Sequence, residues 1–389
     1  MAGVGPDIMA RGPDGQGGGA GFSLADQLFN AATLADLARE YAVLPGFDAG
    51  RFHAEALGGL QGRGLLERLD WIATCVEAQL PRGFPAMAEA LEAALPPPLD
   101  HSLSDDDFGR FIHAVPGILA VRHGLEDHRD RALDLLYAAT QRFSMEFYIR
   151  PFLNRWPDET VARLDAWVTD DNYHVRRLVS EGTRPRLPWA ANITLDPRVP
   201  LRFLDVLHAD PTRYVTRSVA NHMNDLSKLM ADTVVDHLRR WRAQGRQDPR
   251  EMDWITRHAL RTAVKRGERG ALDLLGYRPG AVRARIEGLP QRLRIGETLT
   301  FDVVLEADEA LPVLVDYRLR FARPRGDAEK VFKLKTAKTT PGTPLVLRKR
   351  HVLKGDATTY SLFPGRHGIT VQVNGQDVAE AAFELLDAE

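Results

Sequence analysis

Two stretches of the chain, LDAWVTDDNYHVRRLVSEG at residues 164–182 and LDVLHADPTRYVTRSVANH at residues 204–222, share one pattern forty residues apart. Leucine, aspartate, valine and arginine recur at equal offsets in both, and a weaker third copy places Ile-Thr-Arg at residues 255–257. A period of about forty residues with two helices per unit is typical of HEAT and armadillo repeats. The repeat predicts a curved α-solenoid, in which each helix pair buries its apolar face against its neighbours.

The residues on either side of the repeat predict further helices. Apolar side chains recur at i, i+3, i+4 and i+7, which places them on one face of a helix, in segments 24–44, 65–80, 84–95, 159–168 and 233–243. We therefore expect a mainly α protein whose solenoid of HEAT-like repeats occupies residues 23–280. Residues 1–22 contain eight glycines without apolar periodicity, and they predict a flexible leader.

The apolar period changes near Gly280. Over residues 281–389 it falls toward two, as in LTFDVVLEA at 299–307 and GITVQVNG at 368–375, and Gly, Pro and Asp turns separate about seven short strands. That number of strands in a segment of this size predicts a small all-β immunoglobulin-like sandwich. A small barrel is the open alternative.

Composition excludes several classes of protein. The 389 residues are 44% hydrophobic and 27% charged, which is typical of a globular chain. The single cysteine, Cys75, excludes a disulfide framework and a zinc finger. No apolar run approaches the roughly 18 residues of a membrane span, and no apolar signal segment follows a charged amino end. We expect a cytoplasmic protein that does not bind a membrane.

Charge is distributed unevenly along the chain. Residues 172–269 carry 19 Lys and Arg against 11 Asp and Glu, and residues 318–354 carry 12 against 2, although the whole chain has a net charge of −2. Two basic regions in an otherwise acidic chain indicate a polyanionic partner such as nucleic acid. The alternative is that these charges lie on unrelated solvated faces.

The densest polar cluster is DDNYHVRRLVSEGTRPRLPW, residues 170–189. Gly182, Pro185 and Pro188 end the helix directly after Glu181, so this carboxylate should lie at a helix end beside an irregular loop. Functional groups often occupy such loops on a rigid scaffold. The alternative is a repeat junction in which Glu181 only pairs with an arginine.

Two further carboxylates fall on neighbouring repeats. Glu146 stands among aromatic residues in QRFSMEFYIRPF, an unusual setting for a carboxylate unless it is paired or faces a cleft. Asp225 lies in RSVANHMNDLSKL, one repeat after Glu181. Separations of 35 and 44 residues from Glu181 place Glu146 and Asp225 on successive repeats, and we expect all three carboxylates on one concave face.

Three strings in this order and spacing, MEFYIRPF at 145–152, HVRRLVSEGTRPRLPW at 174–189 and RSVANHMNDLSK at 217–228, resemble the DNA alkylation repair proteins of the AlkC type. The resemblance extends over nearly the whole folded chain, from LPGFD at 44–48 onward, and many members also carry a C-terminal immunoglobulin-like domain. It implies a HEAT-like-repeat DNA glycosylase that removes N-methylated bases such as 3-methyladenine and 3-methylcytosine from duplex DNA. It also implies a shallow cleft that captures the damaged base without a full flip.

On the family pattern, the active-site residues are Glu146, Glu181, Asp225 and Trp189. A base methylated on a ring nitrogen is cationic and leaves readily, so the reaction needs stabilisation of the oxocarbenium-like sugar and an oriented water more than a general acid. We expect Asp225 to face C1′ or activate water, with Glu146 and Glu181 as electrostatic partners. Repulsion among the three acids should raise at least one carboxyl pKa. Trp189 is predicted to pack on the damaged nucleotide, or alternatively to be a core residue.

Basic and amide side chains are predicted to hold the DNA backbone. The predicted DNA-binding residues are Arg177, Arg184, Arg186, Arg217, Asn221, Asn224, Lys228, Arg257, Arg318, Arg320, Lys333 and Lys335. For the repeated arginines at 177, 217 and 257, an Asp/Arg ladder between HEAT repeats is an equal alternative. The basic strands suggest a sandwich that clamps the duplex opposite the solenoid, or alternatively a strand face that only promotes solubility.

The main functional alternative is a non-catalytic HEAT-repeat scaffold that binds nucleic acid or protein. The three acids favour an enzyme, because a DNA scaffold has no reason to place carboxylates on a face meant for phosphates. His174 and His222 lack metal-ligand spacing, and neither a phosphate-binding nor a dinucleotide motif occurs. We therefore expect a monofunctional glycosylase that needs no metal or cofactor and acts as a monomer.

Overall fold

A computed structural model describes residues 23–105, 107–278, 282–324, 326–355 and 361–388. The predicted leader at residues 1–22 lies outside the described residues. The chain divides into two compact units, one ending at Asp225 and one beginning at Leu226. The change from helix to strand comes later, between the last helix and a first strand that begins at Val282.

Helices make up the first unit and the beginning of the second. In chain order they are α1 (Leu24–Leu28), α2 (Ala31–Tyr41), α3 (Ala49–Gly58), α4 (Leu65–Glu77), α5 (Phe84–Ala93), a 3-10 helix (Phe111–Ala114), α6 (Val115–Gly124), α7 (Arg129–Thr140), α8 (Ile149–Arg155), α9 (Pro157–Trp167), α10 (Tyr173–Gly182), α11 (Leu201–Leu207), α12 (Arg213–Leu226), α13 (Ala231–Gln244), α14 (Pro249–Ala259), α15 (Arg261–Lys265) and α16 (Arg269–Leu274). None of the described helices is both long and apolar enough to cross a bilayer.

The repeated residues of the sequence have structural roles at equivalent places. Asp170 and Asp210 each accept the backbone N–H two residues later, at 2.8 Å, and so form the turn that starts the following helix. Asp210 also binds Arg176 of the preceding repeat, with Nε–Oδ2 at 2.6 Å. The repeat period therefore reflects equivalent turns at the start of successive helices, one of which also binds the preceding repeat.

The strands form two sheets, which are mainly antiparallel. They are β1 (Val282–Glu287), β2 (Arg292–Arg294), β3 (Thr298–Ala307), β4 (Pro312–Phe321), β5 (Ala328–Lys338), β6 (Leu345–Val352), β7 (Gly365–Val373) and β8 (Gln376–Leu386). One sheet has the order β1-β3-β6 and the other β2-β8-β7-β4-β5. Alternate residues of β3 and β4, among them Phe301, Tyr317 and Phe321, fill one core. The fold is the predicted helical protein followed by a β-sandwich, with eight strands among the described residues where the sequence predicted about seven.

Within the second unit, the chain that follows the last helix contacts the turn between β7 and β8. Asn374 and Gly375 both have positive φ, of 48° and 80°, as a tight hairpin turn between β7 and β8 requires. The Asn374 amide donates to the carbonyl oxygens of Arg278 and Pro312 at 2.8 and 3.0 Å. This turn ties the chain after α16 to the strand β4.

Candidate active site

The three predicted carboxylates come together through two arginines. Glu146 lies in the turn before α8, Glu181 in the last turn of α10 and Asp225 near the end of α12. Arg177 binds Glu146 at 2.6 Å and lies 3.9 Å from Glu181. Arg184 binds Glu181 at 2.5 Å and Asp225 at 2.8 Å. We call these five residues the carboxylate cluster; they alternate acid, base, acid, base, acid.

Helix register brings the cluster together. Arg177 and Glu181 are four residues apart on α10 and therefore lie on the same helix face. Arg184 follows the end of α10 by two residues, and the irregular loop allows its side chain to turn back to Glu181. The side chains of Glu181 and Asp225 are only 6% and 5% exposed, whereas Glu146 is 16% exposed. Glu146 is thus the most solvent-accessible of the three acids.

Neighbouring charges and hydrogen bonds set the pKa of Glu181. Burial by itself raises the pKa of Glu181, but the charges of Arg177 and Arg184 and a hydrogen bond from Ser218 outweigh it, so the pKa lies below its usual value. The expectation that at least one of the three carboxyl pKa values is raised is thus not met at Glu181. The reason is that arginines lie between the acids and replace repulsion with attraction.

Two serines, which the sequence did not single out, donate hydrogen bonds to two of the acids. Ser218 on α12 donates to Glu181 Oε2 at 2.6 Å and lies 2.9 Å from the hydroxyl of Ser180. Ser144 donates to Glu146 Oε2 at 2.5 Å and accepts from Arg177 at 2.8 Å. Ser218 stands forty residues after Leu178 in the repeat, so its sequence position alone carries no signal of this role.

A buried histidine adjoins the cluster. His222 on α12 places Nδ1 at 2.9 Å from the carbonyl oxygen of Ser180, so Nδ1 carries the proton in this contact. Burial, followed by the charge of Arg184, lowers the pKa of His222 to about 4. The imidazole is therefore neutral at pH 7. Among the described residues no group of His, Cys, Asp and Glu has the arrangement of a metal site.

Arg150 fixes the loop that follows α10. Its guanidinium donates to the carbonyl oxygens of Gly182, Arg184 and Ala191 at 3.1, 2.7 and 2.6 Å, and the residue is 1% exposed. Burial and the nearby Arg184 lower the pKa of Arg150 to about 10. This arginine determines the path of the loop and hence the position of Arg184. Its position in the sequence does not distinguish it from the other arginines.

Trp189 lies on this loop and is exposed. Its φ is 64° and its exposed fraction is 55%, which rules out the alternative of a core residue. A bulky side chain at positive φ is uncommon and carries a conformational cost, and such residues concentrate at functional sites. The exposed indole is available to an external partner.

The predicted DNA-binding residues of the first unit fall into different environments. Arg177 and Arg184 belong to the carboxylate cluster, and Arg217 binds Asp105 at 2.5 Å. The Asp/Arg pair between repeats is formed by Arg176, the neighbour of Arg177. The remaining residues are an exposed Arg186, a half-buried Asn221 and a buried Asn224.

The predicted DNA-binding residues of the second unit are more exposed. Arg257, Lys333 and Lys335 are exposed, and Lys228 is half-buried. Arg318 binds Asp377 at 2.5 Å, and Arg320 lies 3.6 Å from Asp327. Lys333 and Lys335 lie on β5, at the edge of the five-stranded sheet. Their charge is therefore accessible to a partner.

Three comparisons with known proteins agree with one another. Residues 283–387 match a family model described as the C-terminal Ig-like domain of the uncharacterised protein YhaZ. YhaZ of Bacillus subtilis (strain 168) is 36% identical over 256 residues, which are 64% of this chain and 70% of YhaZ. A solved structure of Pseudomonas fluorescens alkylpurine DNA glycosylase AlkC, bound to DNA containing an abasic site analogue, is 33% identical with a TM-score of 0.78. That match covers 93% of this chain and 99% of the other.

Proposed function

The chain belongs to the family of AlkC- and YhaZ-type proteins with an immunoglobulin-like C-terminal domain, and we propose on this premise that it is a DNA glycosylase of alkylation repair. The observation that carries the proposal is the carboxylate cluster, since three acids predicted from sequence lie within ion-pair distance of two shared arginines. The structural match to a DNA-bound alkylpurine glycosylase supports the same activity.

The proposed reaction is hydrolysis of the N-glycosidic bond of cationic N-methylated bases, 3-methyladenine and 3-methylcytosine, in duplex DNA. The leaving base departs neutral and needs no proton, and water adds to C1′ and loses a proton. Positive charge develops on the sugar in the transition state, and fixed carboxylates stabilise it. Three acids against two arginines leave the cluster with a formal charge of −1, the sign that this role requires.

We assign Asp225 to orient water or face C1′. Arg184 donates two hydrogen bonds to one oxygen, Oδ2, at 2.9 and 2.8 Å, which fixes the orientation of the carboxylate. Glu181 and Glu146 act as electrostatic partners. Trp189 provides an exposed indole face that attracts a cationic nucleotide by about 0.5 to 2 kcal/mol.

In the same proposal, the protein holds DNA through exposed cations and captures the base without a full flip. Lys333 and Lys335 of β5 contact phosphates and allow the sandwich to clamp the duplex. The protein acts as a cytoplasmic monomer, without metal or organic cofactor. Arg186 is the exposed cation nearest in sequence to the cluster and is assigned to the backbone of the damaged strand.

Release of free bases from methylated duplex DNA tests the activity and separates it from the scaffold alternative. Wild-type protein is incubated with duplexes that contain 3-methyladenine or 3-methylcytosine, and the products are separated by chromatography. We expect free methylated base and an abasic strand. Salt-dependent DNA binding without any base release would instead establish a non-catalytic scaffold.

A further inference from the structure

An exposed phenylalanine lies on a loop outside the repeat and the three family motifs. Phe108 is 46% exposed and lies on the segment between α5 and the 3-10 helix. Large aromatic residues at the surface often mark a binding site when they adjoin other recognition groups. Leu103 on the same segment is 45% exposed, which makes it a matched control.

This loop is held against the first half of α12. The carbonyl oxygen of Ser104 accepts the backbone N–H of Tyr214 at 3.0 Å. Asp105 accepts from Arg217 at 2.5 Å. One backbone contact and one ion pair thus fix the loop on the helix that carries Asp225.

Phe108 is connected to the carboxylate cluster by a single ring. The rings of Phe108 and Tyr214 are 5.3 Å apart and nearly perpendicular, with an interplanar angle of 72°. The guanidinium of Arg177 lies 4.3 Å from the ring of Tyr214, and Arg177 binds Glu146. The exposed ring is therefore continuous with the proposed site.

A cation lies beside the exposed ring. The guanidinium carbon of Arg217 is 5.4 Å from the ring of Phe108 and 5.8 Å from that of Tyr214, and its side chain is 34% exposed. An aromatic face next to an arginine is the combination that stacks an unpaired base and attracts the adjoining phosphate.

We propose that Phe108 stacks on a nucleobase that flanks the target nucleotide in the damaged strand. This inference rests on the proposed function, because a duplex engaged at the carboxylate cluster brings a flanking base to the ring. Phenylalanine has no polar group that reads a base edge, so the contact accepts any of the four bases. Arg217 positions the ring and faces the neighbouring phosphate.

Binding to abasic duplexes tests the stacking. The affinities of wild type, Phe108→Ala, Phe108→Trp and Leu103→Ala are measured on a duplex with a stable abasic analogue at the target position. A second series of duplexes also lacks the flanking base on the 5′ or the 3′ side. We expect Phe108→Ala to lose affinity roughly tenfold on the first duplex, while Phe108→Trp and Leu103→Ala bind like wild type.

We expect the affinity loss of Phe108→Ala to disappear in one of the two duplexes that lack a flanking base, the one in which the stacked base is missing. An equal loss on every duplex would overturn the proposal, because the ring would then act through the protein alone. Wild-type affinity in Phe108→Ala would overturn it as well.

Base release by the same proteins keeps this inference distinct from the proposed function. If wild type binds the abasic duplex and the affinity loss of Phe108→Ala depends on the flanking base, but wild type frees no base, the glycosylase activity is wrong and the stacking stands. If wild type frees base but the affinity loss of Phe108→Ala does not depend on the flanking base, the stacking is wrong and the activity stands. A wild type that does not bind the abasic duplex contradicts both.

Discussion

At the scale of single residues, burial determines how much each ion pair contributes to the stability of the fold. Arg184 is 12% exposed and binds two acids that are themselves nearly buried. Arg202 binds Asp165 at 2.6 Å, but both side chains are about half exposed. Solvent screens the second pair and leaves the first almost unscreened. Distance alone would not distinguish them.

Replacing the two arginines therefore has unequal consequences. Arg184→Ala leaves Glu181 and Asp225 buried without their shared partner, and we expect the free energy of unfolding to fall by about 3 to 5 kcal/mol. Arg202→Ala should lower it by less than about 1 kcal/mol. Urea unfolding followed by circular dichroism measures both. Equal losses would mean that the cluster is not held by its ion pairs.

The neutral His222 predicts a pH dependence of stability. Its pKa is lowered from 6.5 to about 4 on folding, so between these values the unfolded chain binds the proton that the folded chain does not. Stability is therefore fully present above pH 6.5 and is lost as the pH falls toward 4. From pH 7.5 to pH 5 this loss is about 2 kcal/mol for the single histidine.

Unfolding of His222→Gln at the two pH values measures this contribution. The variant should lose about 2 kcal/mol less than wild type between pH 7.5 and pH 5, because glutamine does not titrate. His101→Gln, at an exposed position, should behave like wild type. If wild type and His222→Gln show the same pH dependence, the imidazole is not neutral in the folded protein.

At the scale of elements, close helix contact positions the site. A Cβ added at Gly182 would lie 2.5 Å from Cγ2 of Ile149, so the last turn of α10 approaches α8 at a distance that only glycine permits. Arg150, one residue after Ile149, binds the loop that carries Arg184 and Trp189. A shift of α8 against α10 would therefore displace the loop.

Gly182→Ala tests this contact. We expect a loss of about 1 to 3 kcal/mol in the free energy of unfolding, together with slower base release. Gly58→Ala at the end of α3, where a Cβ meets nothing within 4 Å, is the control and should be neutral. Thermal unfolding and base release are measured on both. Full activity and stability in Gly182→Ala would show that the helices can separate without cost.

The sequence predicted the elements better than their contacts. The helical period, the forty-residue repeat and the period of two identified the solenoid and the sandwich, because burial of an apolar face imposes those spacings locally. The roles of Arg150 and Ser218 escaped prediction, since their partners lie 32 or more residues away. The acids were identified from the sequence motifs and the family resemblance, but the lowered pKa of Glu181 depends on which arginines fold beside it.

At the scale of the whole molecule, the chain contains two basic regions and is otherwise acidic. Lys333 and Lys335 are exposed on an edge strand, where lysines also discourage strand pairing between molecules. The salt dependence of DNA affinity distinguishes a phosphate contact from this second role. Each phosphate contact contributes about 0.9 to the slope of log affinity against log salt.

The double variant Lys333→Ala/Lys335→Ala should bind duplex DNA more weakly and reduce the slope of log affinity against log salt by about 2. Arg39→Ala/Arg51→Ala removes two exposed cations of the first helices, and we expect an unchanged slope. Fluorescence anisotropy at several salt concentrations gives both slopes. If the lysine variant aggregates but binds DNA with the wild-type slope, the sandwich does not clamp DNA through β5.

The central claim is that the carboxylate cluster performs the chemistry, and the single-turnover rate of base release tests it most directly. Asp225→Asn and Glu181→Gln are compared with wild type and with Asp196→Asn, an exposed aspartate at 55%, with enzyme in excess and DNA affinity matched. We predict that Asp225→Asn and Glu181→Gln bind the duplex but release base at least about 100-fold more slowly, while Asp196→Asn keeps the wild-type rate. Release at the wild-type rate by Asp225→Asn and Glu181→Gln would contradict the account.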